Sequence, residues 1–115
     1  MKVINPEEVK GSAHANAGIS GGISKDVVNK AMGATKVRVQ LQVLHPGPTE
    51  NRHTHEDAEQ CQYVLKGELT VTTPQGSKVI RAGMFGWIPA GEEHQVHNSG
   101  KEDAHYLAIT TPPPA

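Results

Sequence analysis

His53-Thr54-His55-Glu56-Asp57-Ala58-Glu59-Gln60-Cys61-Gln62-Tyr63-Val64-Leu65-Lys66-Gly67 is the stretch on which the reading of this chain turns. On extended backbone successive side chains point to opposite faces, so His53 and His55 project to the same side, near enough to share one ion. Further on, Gln60, Gln62 and Val64 fall on one face of a strand and Glu59, Cys61 and Tyr63 on the other. Lys66-Gly67 then makes a turn. A bare His-x-His pair is more often two solvated residues than a ligand pair, so its surroundings decide its meaning.

Outward from this stretch the chain reads as short strands between Gly/Pro turns. Before it, Val37, Val39, Leu41 and Val43 alternate with Arg38, Gln40 and Gln42, the period of a half-buried strand, and Pro46-Gly47-Pro48 ends the run. The polar members of that strand are expected on a solvated outer face, with pocket lining as the other possibility. After Gly67 come residues 68–73, the turn Pro74-Gln75-Gly76-Ser77, residues 78–81, the turn Ala82-Gly83, residues 84–88, Pro89-Ala90-Gly91, residues 94–97, the turn Asn98-Ser99-Gly100-Lys101, and residues 104–110. Many short strands at steady spacing predict an all-β sandwich or barrel. Residues 1–35, rich in Gly, Ser and Ala, are expected as an N-terminal arm with one edge strand, and Ser24-Lys25-Asp26-Val27-Val28 as the start of a short helical turn. Residues 36–111 form the barrel, and residues 112–115 a Pro-rich tail that cannot join a ladder.

Two frames emerge: Gly47-x5-His53-x-His55-x4-Gln60-x6-Gly67, and Gly83-x5-Pro89-x-Gly91-x2-His94-x3-Asn98, with fifteen residues between Gly67 and Gly83. They resemble the two motifs of the cupin family. The second matches at every fixed position, and the first departs only in carrying Gln60 where most members have Glu. Counting back from Gly67 places Gln60, not Glu59, in the ligand position.

The resemblance covers about residues 37–110 and implies a double-stranded β-helix, or jelly roll, made of two Greek-key halves. It further implies one divalent metal ion near one mouth of the barrel, held by His53, His55, Gln60 and His94, with Asn98 at a strand end rather than on the metal. Mn, Fe, Ni and Zn all suit such donors. With Gln60 in place of a carboxylate the ion keeps its full +2 charge, so an anionic ligand is favoured and a carboxylate general base is lost. Lewis-acid chemistry on a small hydroxy, keto or uronate-type acid therefore leads as the function, in an isomerase, lyase, decarboxylase or ring-opening enzyme whose reaction is not specified. The alternatives are a metal-dependent dioxygenase resembling the quercetinase-like cupins and a non-catalytic sugar- or acid-binding barrel. Ring-opening cupins that act on unsaturated uronates also use acidic residues in the last strand, where Ala104-His105-Tyr106-Leu107-Ala108-Ile109-Thr110 has none.

Other residues carry lesser expectations. His97 should face away from His94, and His14, His45 and His105, lacking ligand spacing, should be surface or hydrogen-bonding residues. Trp87 and Phe85 share a face that lines the pocket or packs on a partner subunit, and Glu56, Asp57, Glu92 and Glu93 should be solvated charges near the mouth. The lone Cys61 excludes an internal disulfide and a Cys-based zinc site, and it reads as a small hydrophobe.

Bulk properties narrow the classes. The 115 residues suit one domain, and 11 Lys and Arg against 12 Asp and Glu leave no basic stripe for nucleic acid. No apolar run is long enough to span a bilayer and no secretory signal is evident, so a cytoplasmic protein is expected. With only 3% aromatic residues the core is lean, and a homodimer is expected both from this and from the family resemblance.

Overall fold

The computed structural model describes residues 1–14, 18–47, Thr54 and 57–113, the side chains of 18–20 excepted. Nine strands are defined among them: β1 (Ser12–His14), β2 (Gly18–Val28), β3 (Arg38–Leu44), β4 (Glu59–Lys66), β5 (Glu68–Thr73), β6 (Gly76–Arg81), β7 (Phe85–Ile88), β8 (Gln95–His97) and β9 (Ala104–Thr111). They pair antiparallel into a six-stranded sheet of order β1-β2-β3-β9-β4-β7 and a three-stranded sheet of order β6-β5-β8. The fold is all-β, as the strand rhythm predicts, and is the jelly roll that the family resemblance implies.

The N-terminal stretch contributes two strands to the larger sheet. The helical turn expected at residues 24–28 is not formed: these residues end β2, with Ser24 opposite Gln42 and Asp26 opposite Gln40. A single 3-10 turn follows at Lys30–Met32 and closes on Gly33 at φ 98°. A segment with no period of its own takes its conformation from the edge of β3, whose backbone groups must find partners.

Between the sheets lies an apolar core of Leu44, Val64, Tyr106 and Ala108 from one side and Leu69, Val71, Ile80 and Val96 from the other. β4 buries Gln60, Gln62 and Val64 and turns Glu59, Cys61 and Tyr63 outward, the register read from the sequence. β3 overturns the expectation for its polar residues. Gln40 and Gln42 are buried at 7% exposure each, while Val39, Leu41 and Val43 are the half-buried outer set. Alternation tells which residues share a face but not which face is inside. Here the outer apolar residues continue across the sheet, Leu41 beside Leu107 and Val39 beside Ile109.

Two local devices hold the barrel ends. Gly67, at φ 79°, turns β4 into β5 where a Cβ would come 2.8 Å from the Asp103 carbonyl oxygen. Asn98, 1% exposed, donates through Nδ2 to the carbonyls of Leu44 (2.9 Å) and Glu102 (2.8 Å) and accepts from the Gly100 N–H (2.9 Å). It thus ties the end of β8 to β3 in the opposite sheet.

Candidate metal centre

Of the four residues expected to ligate a metal, Gln60 and His94 are described; His53 and His55 lie outside the described residues, as does Glu56. Gln60 opens β4, faces into the barrel at 7% exposure and sits opposite Thr110 in the β4–β9 ladder. Its Nε2 donates to Thr110 Oγ1 at 3.2 Å, and its Oε1 accepts from Gln62 Nε2 at 3.2 Å. In this arrangement its carbonyl oxygen retains a second lone pair. Glu59 points outward instead, its Oε1 accepting from Trp87 Nε1 at 2.9 Å. The structure thus puts Gln60, and not its acidic neighbour, on the inner face.

His94 precedes β8 and is 1% exposed. Its Nδ1 lies 3.0 Å from the Glu92 backbone carbonyl oxygen. A carbonyl only accepts, so Nδ1 carries the proton and, in the neutral ring, Nε2 carries the lone pair; metal-ligating histidines are commonly oriented in this way. An imidazole with that tautomer and an amide oxygen are donors of the type a divalent ion takes. Among the described residues, which leave out His53 and His55, no group of three or more His, Cys, Asp or Glu side chains is placed to hold an ion.

The remaining expectations are met in part. His97 lies opposite Thr70 on β5, turned away from the core, and is half-buried. His45 Nδ1 contacts Asp103 Oδ1 at 2.8 Å. His14 is not at the surface: it is 1% exposed and its Nε2 lies 2.8 Å from the Tyr106 hydroxyl. Phe85 and Trp87 are 71% and 63% exposed, Phe85 resting on the Tyr63 ring with 4.5 Å between centroids. Asp57 and Glu93 are exposed and Glu92 half-buried.

The polar interior corresponds to the pocket-lining alternative for Gln40 and Gln42, not to the solvated outer face expected first. Ser24 Oγ donates to Gln42 Oε1 (2.8 Å) and Gln42 Nε2 to Gln40 Oε1 (3.4 Å), parallel to the Gln62–Gln60–Thr110 relay on β4 and β9. The recurrence of Gln at positions 40 and 42 and again at 60 and 62 was the available signal. Among the described residues the buried polar side chains are His, Gln, Ser, Asn and Thr, with no carboxylate.

Comparison with known proteins agrees with the fold. A family model described as the cupin domain matches residues 40–110. The chain is a cupin. An oxalate-binding protein of Thermotoga maritima is 36% identical to this cupin over 66 residues, 57% of this chain and 54% of that protein. The crystal structure of a predicted oxalate decarboxylase from Thermotoga maritima matches with a TM-score of 0.81 at 24% identity, over 96% of this chain and 98% of that one. The polyketide cyclase RemF from Streptomyces resistomycificus matches with a TM-score of 0.84 at 22% identity, over 98% of this chain and 82% of that one. These structures establish the shared fold. The cupin spans about half the length of the curated relatives it matches.

Proposed function

We propose that this cupin holds one divalent metal ion, Mn, Fe, Ni or Zn, on His53, His55, Gln60 and His94 and uses it on a small anionic acid of the hydroxy, keto or uronate type. The observation that carries the reading is the buried, inward-facing Gln60, whose amide is held by Gln62 and Thr110. A bound ion would supply Lewis-acid polarisation of a ligand oxygen. The chain's own part is to hold the His94 ring in one tautomer through the Glu92 carbonyl and to present an uncharged fourth donor, which leaves the site cationic toward an acid. The oxalate-binding relative, matched over 57% of this chain, favours a small carboxylate as the ligand class.

A second reading, binding without turnover, draws on a specific feature. The buried polar side chains of the described interior include no carboxylate, so a general base of the usual acidic kind is missing from that set. Homodimerisation is part of the proposal as well: the exposed Phe85 and Trp87 belong to an apolar outer sheet face of the kind that subunit contacts cover.

The test is elemental analysis of the freshly purified protein beside His53→Ala and His94→Ala, with thermal melting before and after chelation. One equivalent of a transition metal, lost in both variants together with the chelator-sensitive part of the melting temperature, is the expected result. Unchanged metal content in His94→Ala refutes the ligand set.

A further inference from the structure

Arg38 opens β3 and shares the parity of Gln40, Gln42 and Leu44, whose side chains are buried between the sheets. It therefore belongs to the inner face, in the row where Arg38 stands opposite Thr110 and Thr110 opposite Gln60. At 30% side-chain exposure it occupies the rim of the barrel rather than the core. Two strand spacings, about 10 Å between Cα atoms, separate it from Gln60, so a ligand held beside Gln60 reaches Arg38 only through a second group at its far end.

Asp26, on the same face of β2 opposite Gln40, holds the guanidinium along one side. Arg38 Nε donates to Asp26 Oδ1 at 3.2 Å, and Nη2 donates to Oδ1 at 3.1 Å and Oδ2 at 3.3 Å. These bonds occupy Nε and Nη2, and the two N–H groups of Nη1 have no partner among the described residues. Across β3, β9 and β4 the other polar side chains of this row and the next, Thr110, Gln60, Gln40 and Gln62, are uncharged. An ion pair at this exposure contributes little to stability, so bracing β2 against β3 is a weak reason for a guanidinium here. A planar fork fixed on one side and bare at Nη1 suits recognition of a carboxylate, because much of its side-chain entropy is lost before the ligand arrives.

We propose that Arg38 is a specificity-determining residue of the site: among small acids it selects those that carry a second carboxylate, such as a hydroxy diacid of the malate type. The inference rests on the metal-site reading for where the first carboxylate lies, and adds the group that meets the other end. The far carboxylate accepts from Arg38 Nη1. Asp26 fixes the guanidinium and, being anionic itself, limits the affinity of a second anion beside it. Substituting Asp26 therefore separates recognition from architecture.

Titration calorimetry with malate and lactate, which share a hydroxy acid head and differ in the far carboxylate, tests this on the protein as purified, with metal content measured on the same sample. Malate should bind about tenfold more tightly, the effect of one charge-assisted hydrogen bond. Arg38→Gln should bring malate down to the level of lactate and leave lactate unchanged. Asp26→Asn, which keeps an acceptor at Oδ1 and removes the competing charge, should preserve or raise the preference. A purely structural ion pair predicts instead that both variants fall together in melting and in affinity for either acid. Equal affinities in the wild type, a preference surviving in Arg38→Gln, its loss in Asp26→Asn, or binding of neither acid would each overturn the proposal. Failure of the metal reading shows in the elemental analysis, whereas the ratio of the two affinities judges Arg38.

Discussion

Replacing Asn98 with alanine removes three hydrogen bonds at once. The side chain is 1% exposed, and its Nδ2 and Oδ1 serve the Leu44 carbonyl, the Glu102 carbonyl and the Gly100 N–H. A net value of about 1 kcal/mol for each bond gives a loss of about 3 kcal/mol, with stranded backbone groups adding to it if water cannot reach them. For a domain of this size that corresponds to a fall of about 12 °C in melting temperature, a large share of the roughly 5–15 kcal/mol that holds such domains together. Urea unfolding followed by circular dichroism measures the loss, provided the slope with denaturant stays constant. Asn98→Asp sharpens the test, because it keeps the shape and the acceptor for Gly100 but points an acceptor at two carbonyls. It should destabilise at least as much as alanine, where an argument from packing volume alone would rank it as harmless. A loss under about 1 kcal/mol for Asn98→Ala, or wild-type stability for Asn98→Asp, would refute the view that this side chain joins the two sheets by hydrogen bonding.

Two further outcomes follow from the interior. Gln60→Glu should retain metal yet weaken oxalate at least about tenfold in calorimetry, because a new negative charge within bonding reach of the ion opposes the anion; equal or tighter oxalate binding would contradict the charge argument. Tyr106→Phe removes the 2.8 Å contact with His14 at a position 1% exposed, and should cost about 1–2 kcal/mol in urea unfolding and speed amide exchange in β1; unchanged exchange would show that this contact does not hold the strand.

From β3 onward the strands were legible because each joins an alternating run to a Gly- or Pro-marked turn. For β1 and β2 only one edge strand was expected, since Gly18-Ile19-Ser20-Gly21-Gly22 has no alternation; β2 is held as strand by pairing with β1 and, from Gly22 to Val28, with β3. Spacing from Gly67 was enough to put Gln60 on the inner face and Glu59 on the outer, because a turn fixes register over the few residues before it. The orientation of β3 was not recoverable in that way: both of its faces sit in a defined environment, one on the outer sheet face and one among interior amides. For His14 the choice between surface and hydrogen-bonding residue stayed open, because a single histidine on a strand without period carries no spacing to read and its partner Tyr106 is 92 residues away.

Register shows how the interior amides are placed. Across β3, β9 and β4, Arg38, Thr110 and Gln60 form one row, Gln40, Ala108 and Gln62 the next, and Gln42, Tyr106 and Val64 the third, while Leu44 stands beside Ala104 toward the other end. Apolar packing at that second end stabilises the barrel; the amides at the first end would be a liability unless each found partners, because buried polar groups cost more unmade than they contribute when made. Their interlocking within each pair of strands removes most of that cost and leaves neutral, oriented groups rather than charges. A carboxylate at position 60 would lower the field of a bound cation and would itself have to be desolvated in this setting. An amide avoids both effects, so a residue that adds no charge to the interior without metal would leave the site attractive to anions with one.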